Sequence, residues 1–280
     1  MQIDAHQHFW SISRDDYGWL TPELPALWRD FGPDDLAPLL AEAGIRRTIL
    51  VQAAPTVAET RFLLEIAERT PWVAGVVGWV DFAAPDAPAE IATLAQNPLL
   101  VGLRPMVQDI ADAQWLAQTA LAPAFDALIA HDLTFDALVL PRHLAPLLTV
   151  LDRHPALAVV VDHAAKPDIA GGDLDLWRRD IVRVAQHSRV MCKLSGLVTE
   201  AAPDWRIGDL SPIVNDLMFL FGPGRLIWGS DWPVVTLRAS YAEWRAASLR
   251  LLADLSPGER AAVLGGNAAR YYLGARWRKR

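Results

Sequence analysis

The chain has a single cysteine, Cys192, in 280 residues. That excludes an intrachain disulfide and fits a reducing compartment. No apolar run approaches the roughly 20 residues needed to span a bilayer. No charged stretch followed by an apolar one precedes the first candidate strand, so no secretory signal is expected. Lys and Arg number 26 against 33 Asp and Glu, a net charge of -7, which disfavours nucleic acid or an anionic membrane as a partner. The one basic cluster, "RWRKR" at the C-terminus, reads as a solvated tail. The glycine-rich fingerprint of a dinucleotide fold is missing after the first apolar run, and no organic cofactor is expected. These absences describe a cytoplasmic, acidic protein; they leave open whether it forms a homo-oligomer.

What the chain does have is 52% hydrophobic residues, enough for a large core, arranged as a repeating alternation. Short apolar, β-branched runs fall at 1–9, 47–53, 73–81, 100–107, 133–140, 157–165, 190–197 and 225–233. Amphipathic helical stretches such as "PDDLAPLLAEAGI" and "AETRFLLEIAERT" lie between most of them. Strands alternating with helices imply parallel strands joined by right-handed crossovers, and eight such units in about 250 residues match a closed (β/α)8 TIM-type barrel. No linker or shift in composition divides residues 1–280, so one domain is expected. The final stretches, "LRASYAEWRAASLRLLADL" and "PGERAAVLGGNAARYYL", are expected to complete the outer ring of helices.

In such a barrel the active site sits at the C-terminal ends of the strands, which should otherwise be nearly all apolar. Polar side chains nevertheless recur there: His6 and His8, Gln52, Arg104, Asp136, His163, Lys193 with Ser195, and Asp231. Alternation along a strand puts Asp4, His6 and His8 on one face and Ala5, Gln7 and Phe9 on the other. Two imidazoles on one face can converge on a small ion or a substrate oxygen. Each of these residues alone has an ordinary reading as a packed, capping or surface group; their recurrence on most strands fits a pocket better.

The stretches "DAHQHFW", "PRHLAPLL", "DHAAKP", "CKLSGLVTEA", "GSDWPV" and "NAARYY", in that order across nearly the whole chain, resemble the amidohydrolase superfamily. Within it they are most similar to the sugar-lactonase branch of L-fuconolactonases and L-rhamnonolactonases. Relatives often read DHxGKP; here Ala165 takes the glycine's place. The resemblance implies a (β/α)8 barrel hydrolysing an intramolecular ester, with Asp231 as the base that activates water. His6, His8 and His163 would act with it, either holding one zinc-like divalent ion together with Asp231 or donating hydrogen bonds themselves. Many members carry two metals bridged by a carboxylated lysine on strand 4 or 5, and neither "LVGLRPMV" nor "LTFDALVL" contains a lysine, which argues against a binuclear site.

The expected substrate is a neutral aldonolactone such as L-fucono-1,5-lactone, contacted by Gln52, Arg104, Asp136, Lys193 and Trp232. The 12 tryptophans agree with a sugar ring, since indoles stack on apolar sugar faces. Trp10, Trp19, Trp79, Trp205 and Trp232 are all placed to reach the mouth. Two other readings stay open. One is a lactonase or decarboxylase on an aromatic-derived, carboxylated substrate of the muconolactone type, which Arg104, Lys166 and Lys193 would serve. The other is a catalytically silent sugar-binding barrel.

Overall fold

The computed structural model describes residues 1–274; the basic "RWRKR" stretch lies outside them. All eight expected strands form: β1 (Ile3–Gln7), β2 (Arg47–Val51), β3 (Val73–Gly78), β4 (Leu100–Leu103), β5 (Thr134–Ala137), β6 (Val159–Val161), β7 (Val190–Leu194) and β8 (Leu226–Trp228). Each pairs in parallel with the next in sequence order. The sheet closes where Gln7 bridges to Trp232, with Asp231 N–H donating to His6 O and His8 N–H to Trp232 O, both at 2.8 Å. Helices follow the strands in turn: α1 (Pro33–Ala43), α2 (Val57–Arg69), α3 (Ala87–Leu94), α4 (Ala122–Ala130), α5 (Leu144–Arg153), α6 (Asp175–Ala185), α7 (Ile207–Phe221) and α8 (Tyr241–Leu251). This is the (β/α)8 barrel.

Two apolar layers hold it. Outward-facing strand residues such as Leu50, Val76, Phe135 and Trp228 pack against the helices. Inward-facing Ile49, Val51, Val77, Val101, Val160, Met191 and Ile227 fill the lower barrel, as the packed interior of this architecture requires. Each such side chain stabilises the fold by about 1.5–3 kcal/mol.

The last segment departs from expectation. After the short helix α9 (Pro257–Ala261) the chain does not join the outer ring. Ala268, Tyr272 and Leu273 pack into the interior cluster, and the Tyr272 hydroxyl donates to Asp136 Oδ2 at 2.6 Å. The segment plugs the bottom of the barrel, because its small and aromatic residues complete a core that the strands leave open.

Strand β1 departs too. Its register against β2 slips between Asp4 and Gln7. An extra residue of this kind shifts the alternation by one, so Asp4 does not share a face with His6 and His8. Ile3 and Ala5 point into the barrel, while Asp4 points out to accept from Tyr241 Oη of α8 at 3.0 Å. Below the irregularity the strand serves the core; above it His6 and His8 both turn inward. The approach of β8 is close enough that a Cβ on Gly229 would lie 2.6 Å from His6 Cβ, so glycine is required there.

Candidate active site

Four side chains converge at the C-terminal end of the barrel. Asp231 Oδ1 lies 3.3 Å from His8 Nε2, 3.7 Å from His6 Nε2 and 3.8 Å from His163 Nε2, and the two β1 imidazoles are 3.2 Å apart at Nε2. All four are buried. Two of them sit on unusual backbone. His163 has φ +50° and Asp231 φ +61°, the left-handed region that few non-glycine residues adopt and that Asp and His tolerate best. Strict alternation beyond β6 would send Asp162 and His163 to opposite sides. The left-handed turn swings His163 back, so both face inward.

Each imidazole is oriented from behind. His8 Nδ1 contacts Val51 O at 2.8 Å; a carbonyl only accepts, so Nδ1 carries a proton and Nε2 faces Asp231. His163 Nδ1 meets Ser195 Oγ at 2.9 Å. Gly196, at φ +65°, makes room for that ring, because a Cβ there would lie 2.5 Å from His163 Nδ1. His6 Nδ1 faces Lys193 Nζ at 3.1 Å and Asp162 Oδ1 at 3.6 Å. Burial first, and then the Lys193 ammonium, push the His6 imidazole well below its ordinary range. Burial lowers His163 to about 4, so both rings are neutral at pH 7. For Asp231 burial works upward, but His163 first, which carries charge only in the acid range where the carboxyl itself would titrate, then the His8 contact and His6 outweigh it and hold the carboxyl below the usual range. It stays ionised.

Loop contacts fix the carboxylate's position. Asp4 Oδ1 accepts from Ser230 N at 2.8 Å and from His6 N at 3.2 Å, tying the two arms of the site together from the outer side of the barrel.

A carboxylate oxygen with three imidazole nitrogens 3.3–3.8 Å away is a donor set that suits a shared cation. Four donors on a tetrahedron with bonds of about 2.0–2.1 Å stand roughly 3.3 Å from one another, close to the separations found here. His6, His163 and Asp231 offer ligand atoms all within 4.8 Å of one another, and His8 Nε2 adjoins two of them. The residues fit one divalent ion.

The cavity above them, of about 260 Å³, is lined by His8, His163, Asp231 and Arg104 at its floor, with Trp19, Gln108, Lys166, Thr199 and Glu200 higher up. The structure does not bring four of the expected substrate contacts to this surface. Gln52 is wholly buried, its amide donating to Arg104 O at 2.7 Å while Arg104 donates to Gln52 O. The pair is a clamp between β2 and β4. Asp136 and Lys193 lie one layer down, joined at 2.6 Å, with Lys193 also 2.9 Å from Asp162. Trp232 packs edge-on against Phe9 and Phe31. Arg104 reaches the cavity but is committed to Gln52 O and, at 3.4 Å, to Asp162.

Of the five tryptophans expected at the mouth, Trp19 lines this cavity, its Nε1 donating to Ala53 O at 2.7 Å. Trp79 lines a neighbouring one, while Trp10 and Trp232 are core residues and Trp205 lies in a separate groove. Asp162, Gln108, Thr199 and Glu200 are not among the residues expected in the site from the strand pattern. A signal was present for the first, in the Asp–His pair ending strand 6, but alternation argued against it.

The amidohydrolase family model matches residues 3–273, and the chain belongs to that family. It is 50% identical over 275 residues to an L-fucono-1,5-lactonase of Burkholderia ambifaria, covering 97% of this chain and 95% of the relative. To an L-fucono-1,5-lactonase of Burkholderia multivorans it is 41% identical over 286 residues, covering 97% and 96%. Among solved structures, an amidohydrolase from Burkholderia multivorans with bound zinc superposes with a TM-score of 0.91 at 40% identity, covering 98% of this chain and 99% of that one.

Proposed function

We propose that the protein hydrolyses a neutral sugar aldonolactone, of the L-fucono-1,5-lactone type, to the aldonic acid, with Asp231 taking the proton of the attacking water. The observation that carries this reading is an ionised carboxylate caged by three imidazoles on the floor of a cavity. Among the described lining residues Thr199 carries the one hydroxyl, and it donates to Gly196 O at 2.7 Å; the Cys192 thiol lies outside the lining, buried and pushed up by burial. Water attacks the lactone carbonyl as Asp231 accepts its proton. The acyl–oxygen bond then breaks, and the ring oxygen leaves as a hydroxyl carrying the proton that Asp231 returns. Arg104 supplies positive charge beside the imidazoles, with Nη1 3.4 Å from His6 Nε2. The fit of the donor set, together with the zinc in the Burkholderia multivorans structure, supports one zinc ion held by His6, His8, His163 and Asp231. When bound, it supplies Lewis-acid polarisation of the carbonyl. The identity of the relatives at 50% and 41% supports the sugar-lactone class. No helix among the described residues is long and apolar enough to cross a membrane.

The charge balance of the mouth weighs against a carboxylated substrate. Arg104 is committed to Asp162, Lys166 faces Glu200 at 3.5 Å, and Asp231 adds a further negative charge. Like charges brought together in a site oppose binding by several kcal/mol. Neutral aldonolactones should therefore exceed muconolactone-type acids in kcat/KM by at least about 100-fold. A preference for the carboxylated lactones would overturn the reading.

A further inference from the structure

Of the charged side chains around the cavity, Lys166 and Glu200 are the two not committed to the floor. Asp231 belongs to the imidazole cage, and Arg104 to Asp162 and Gln52. Lys166 Nζ and Glu200 Oε1 face each other at 3.5 Å, with side chains 22% and 23% exposed. That separation is longer than the roughly 2.7–2.9 Å of a tight charge-assisted bond. Each therefore keeps capacity to bond a third group. Lys166 is presented by the same backbone that presents His163. Residues 163–166 run through φ values of +50°, +53°, +61° and +50°, a single left-handed turn closed by Lys166 N–H donating to His163 O at 2.8 Å. Each such residue costs about 1–2 kcal/mol for a non-glycine side chain, and the turn is held by Trp177 Nε1 donating to Ala164 O at 2.6 Å. Residues three apart in a turn this tight fall on one side, so Lys166 stands beside His163 over the cavity. Glu200 is anchored by its own carbonyl, which accepts from Ala170 N at 3.0 Å. A third polar group there, Gln108, has a buried Oε1 with no partner within the protein.

An ammonium, which only donates, beside a carboxylate, which only accepts, suits groups that do both. A hydroxyl is such a group, and two hydroxyls on adjacent carbons can accept from one partner and donate to the other while the charge pair stays together. We propose that Lys166 and Glu200 read a pair of adjacent hydroxyls, a vicinal diol, on the lactone ring, and so set which sugar lactones are accepted. The inference rests on the sugar-lactone reading above and adds to it the residues and the hydroxyl pattern. Gln108 borders the same cavity as a further polar side chain.

The test is kcat/KM for L-fucono-1,5-lactone and its single-deoxy analogues, measured with wild type, Glu200→Gln and Lys166→Met, with thermal melts to show that the variants fold. In the wild type, deleting either of two adjacent hydroxyls should lower kcat/KM by about 10- to 100-fold, the factor for losing a hydrogen bond to a charged group. Each variant should lose a similar factor on the parent lactone. On the analogue that lacks the hydroxyl it reads, it should lose almost nothing more, because the contact is already gone. Undiminished losses on every deoxy analogue, or coupling to hydroxyls that are not neighbours, would overturn the diol assignment while leaving lactone hydrolysis standing. A wild-type protein inert on the parent lactone and on all analogues would overturn the underlying reading as well.

Discussion

Asp231→Asn should lower kcat by about 10²–10⁴-fold, the contribution of a positioned base, with the melting temperature little changed. Asparagine is the informative replacement for two reasons. Position 231 has φ +61°, and asparagine is among the few residues that accept the left-handed region readily, so the loop keeps its path. The amide also keeps the carboxylate's shape beside His8 and His163 but cannot take a proton from water near neutral pH. Alanine would confound lost chemistry with backbone strain. Steady-state kinetics with a circular dichroism melt checks this. A variant retaining more than about a tenth of wild-type kcat would remove Asp231 from the role of base.

Lys193→Met carries the largest expected effect on stability. Lys193 is wholly buried, 2.6 Å from Asp136 and 2.9 Å from Asp162, and both carboxylates are themselves fully buried. Burial raises Asp136 despite Lys193; for Asp162 burial also works upward, but Lys193, His6 and Arg104 bring it well below the ordinary range. Removing the ammonium leaves two buried carboxyls with too little positive charge, a loss of about 3–5 kcal/mol, a large part of the 5–15 kcal/mol typical of a folded protein. Without Lys193 the folded-state carboxyls titrate above their unfolded values, so the deficit is smallest at acid pH and grows as pH rises. Urea unfolding at pH 5 and pH 8 should show the variant closer to wild type at pH 5. A loss under about 1 kcal/mol at both would show that the network is not what holds the barrel interior.

The barrel itself was legible because its signal is redundant: eight apolar runs, most of them separated by an amphipathic stretch, admit few arrangements. The residues of the imidazole cage were legible for a related reason, since His6, His8, His163 and Asp231 are polar groups at strand ends that should otherwise be apolar. Depth was not legible. Asp136 and Lys193 also sit near strand ends, yet Asp136 belongs to a lower layer shared with Tyr272, and Lys193 bridges it to Asp162. A linear pattern records which face a side chain takes, not how far along the barrel axis its end lies. Alternation also failed where backbone departs from a regular strand, at the slip in β1 that turns Asp4 outward and at the left-handed turn that turns His163 inward. Trp232 follows Asp231 directly, but its ring fills the space between Phe9 and Phe31. Lys166 and Glu200 come from loops after different strands, 34 positions apart in the chain, and no local spacing announces that they meet.

Opening of a neutral sugar lactone by water in this cavity is directly measurable. Hydrolysis of a lactone near pH 7 releases one proton per ring opened, so a pH indicator in weak buffer reports turnover of L-fucono-1,5-lactone directly. Purified protein should release acid well above the spontaneous rate, in proportion to enzyme, and Asp231→Asn protein at the same concentration should restore the rate nearly to background. Acid release no faster than buffer alone across neutral sugar lactones would contradict the account.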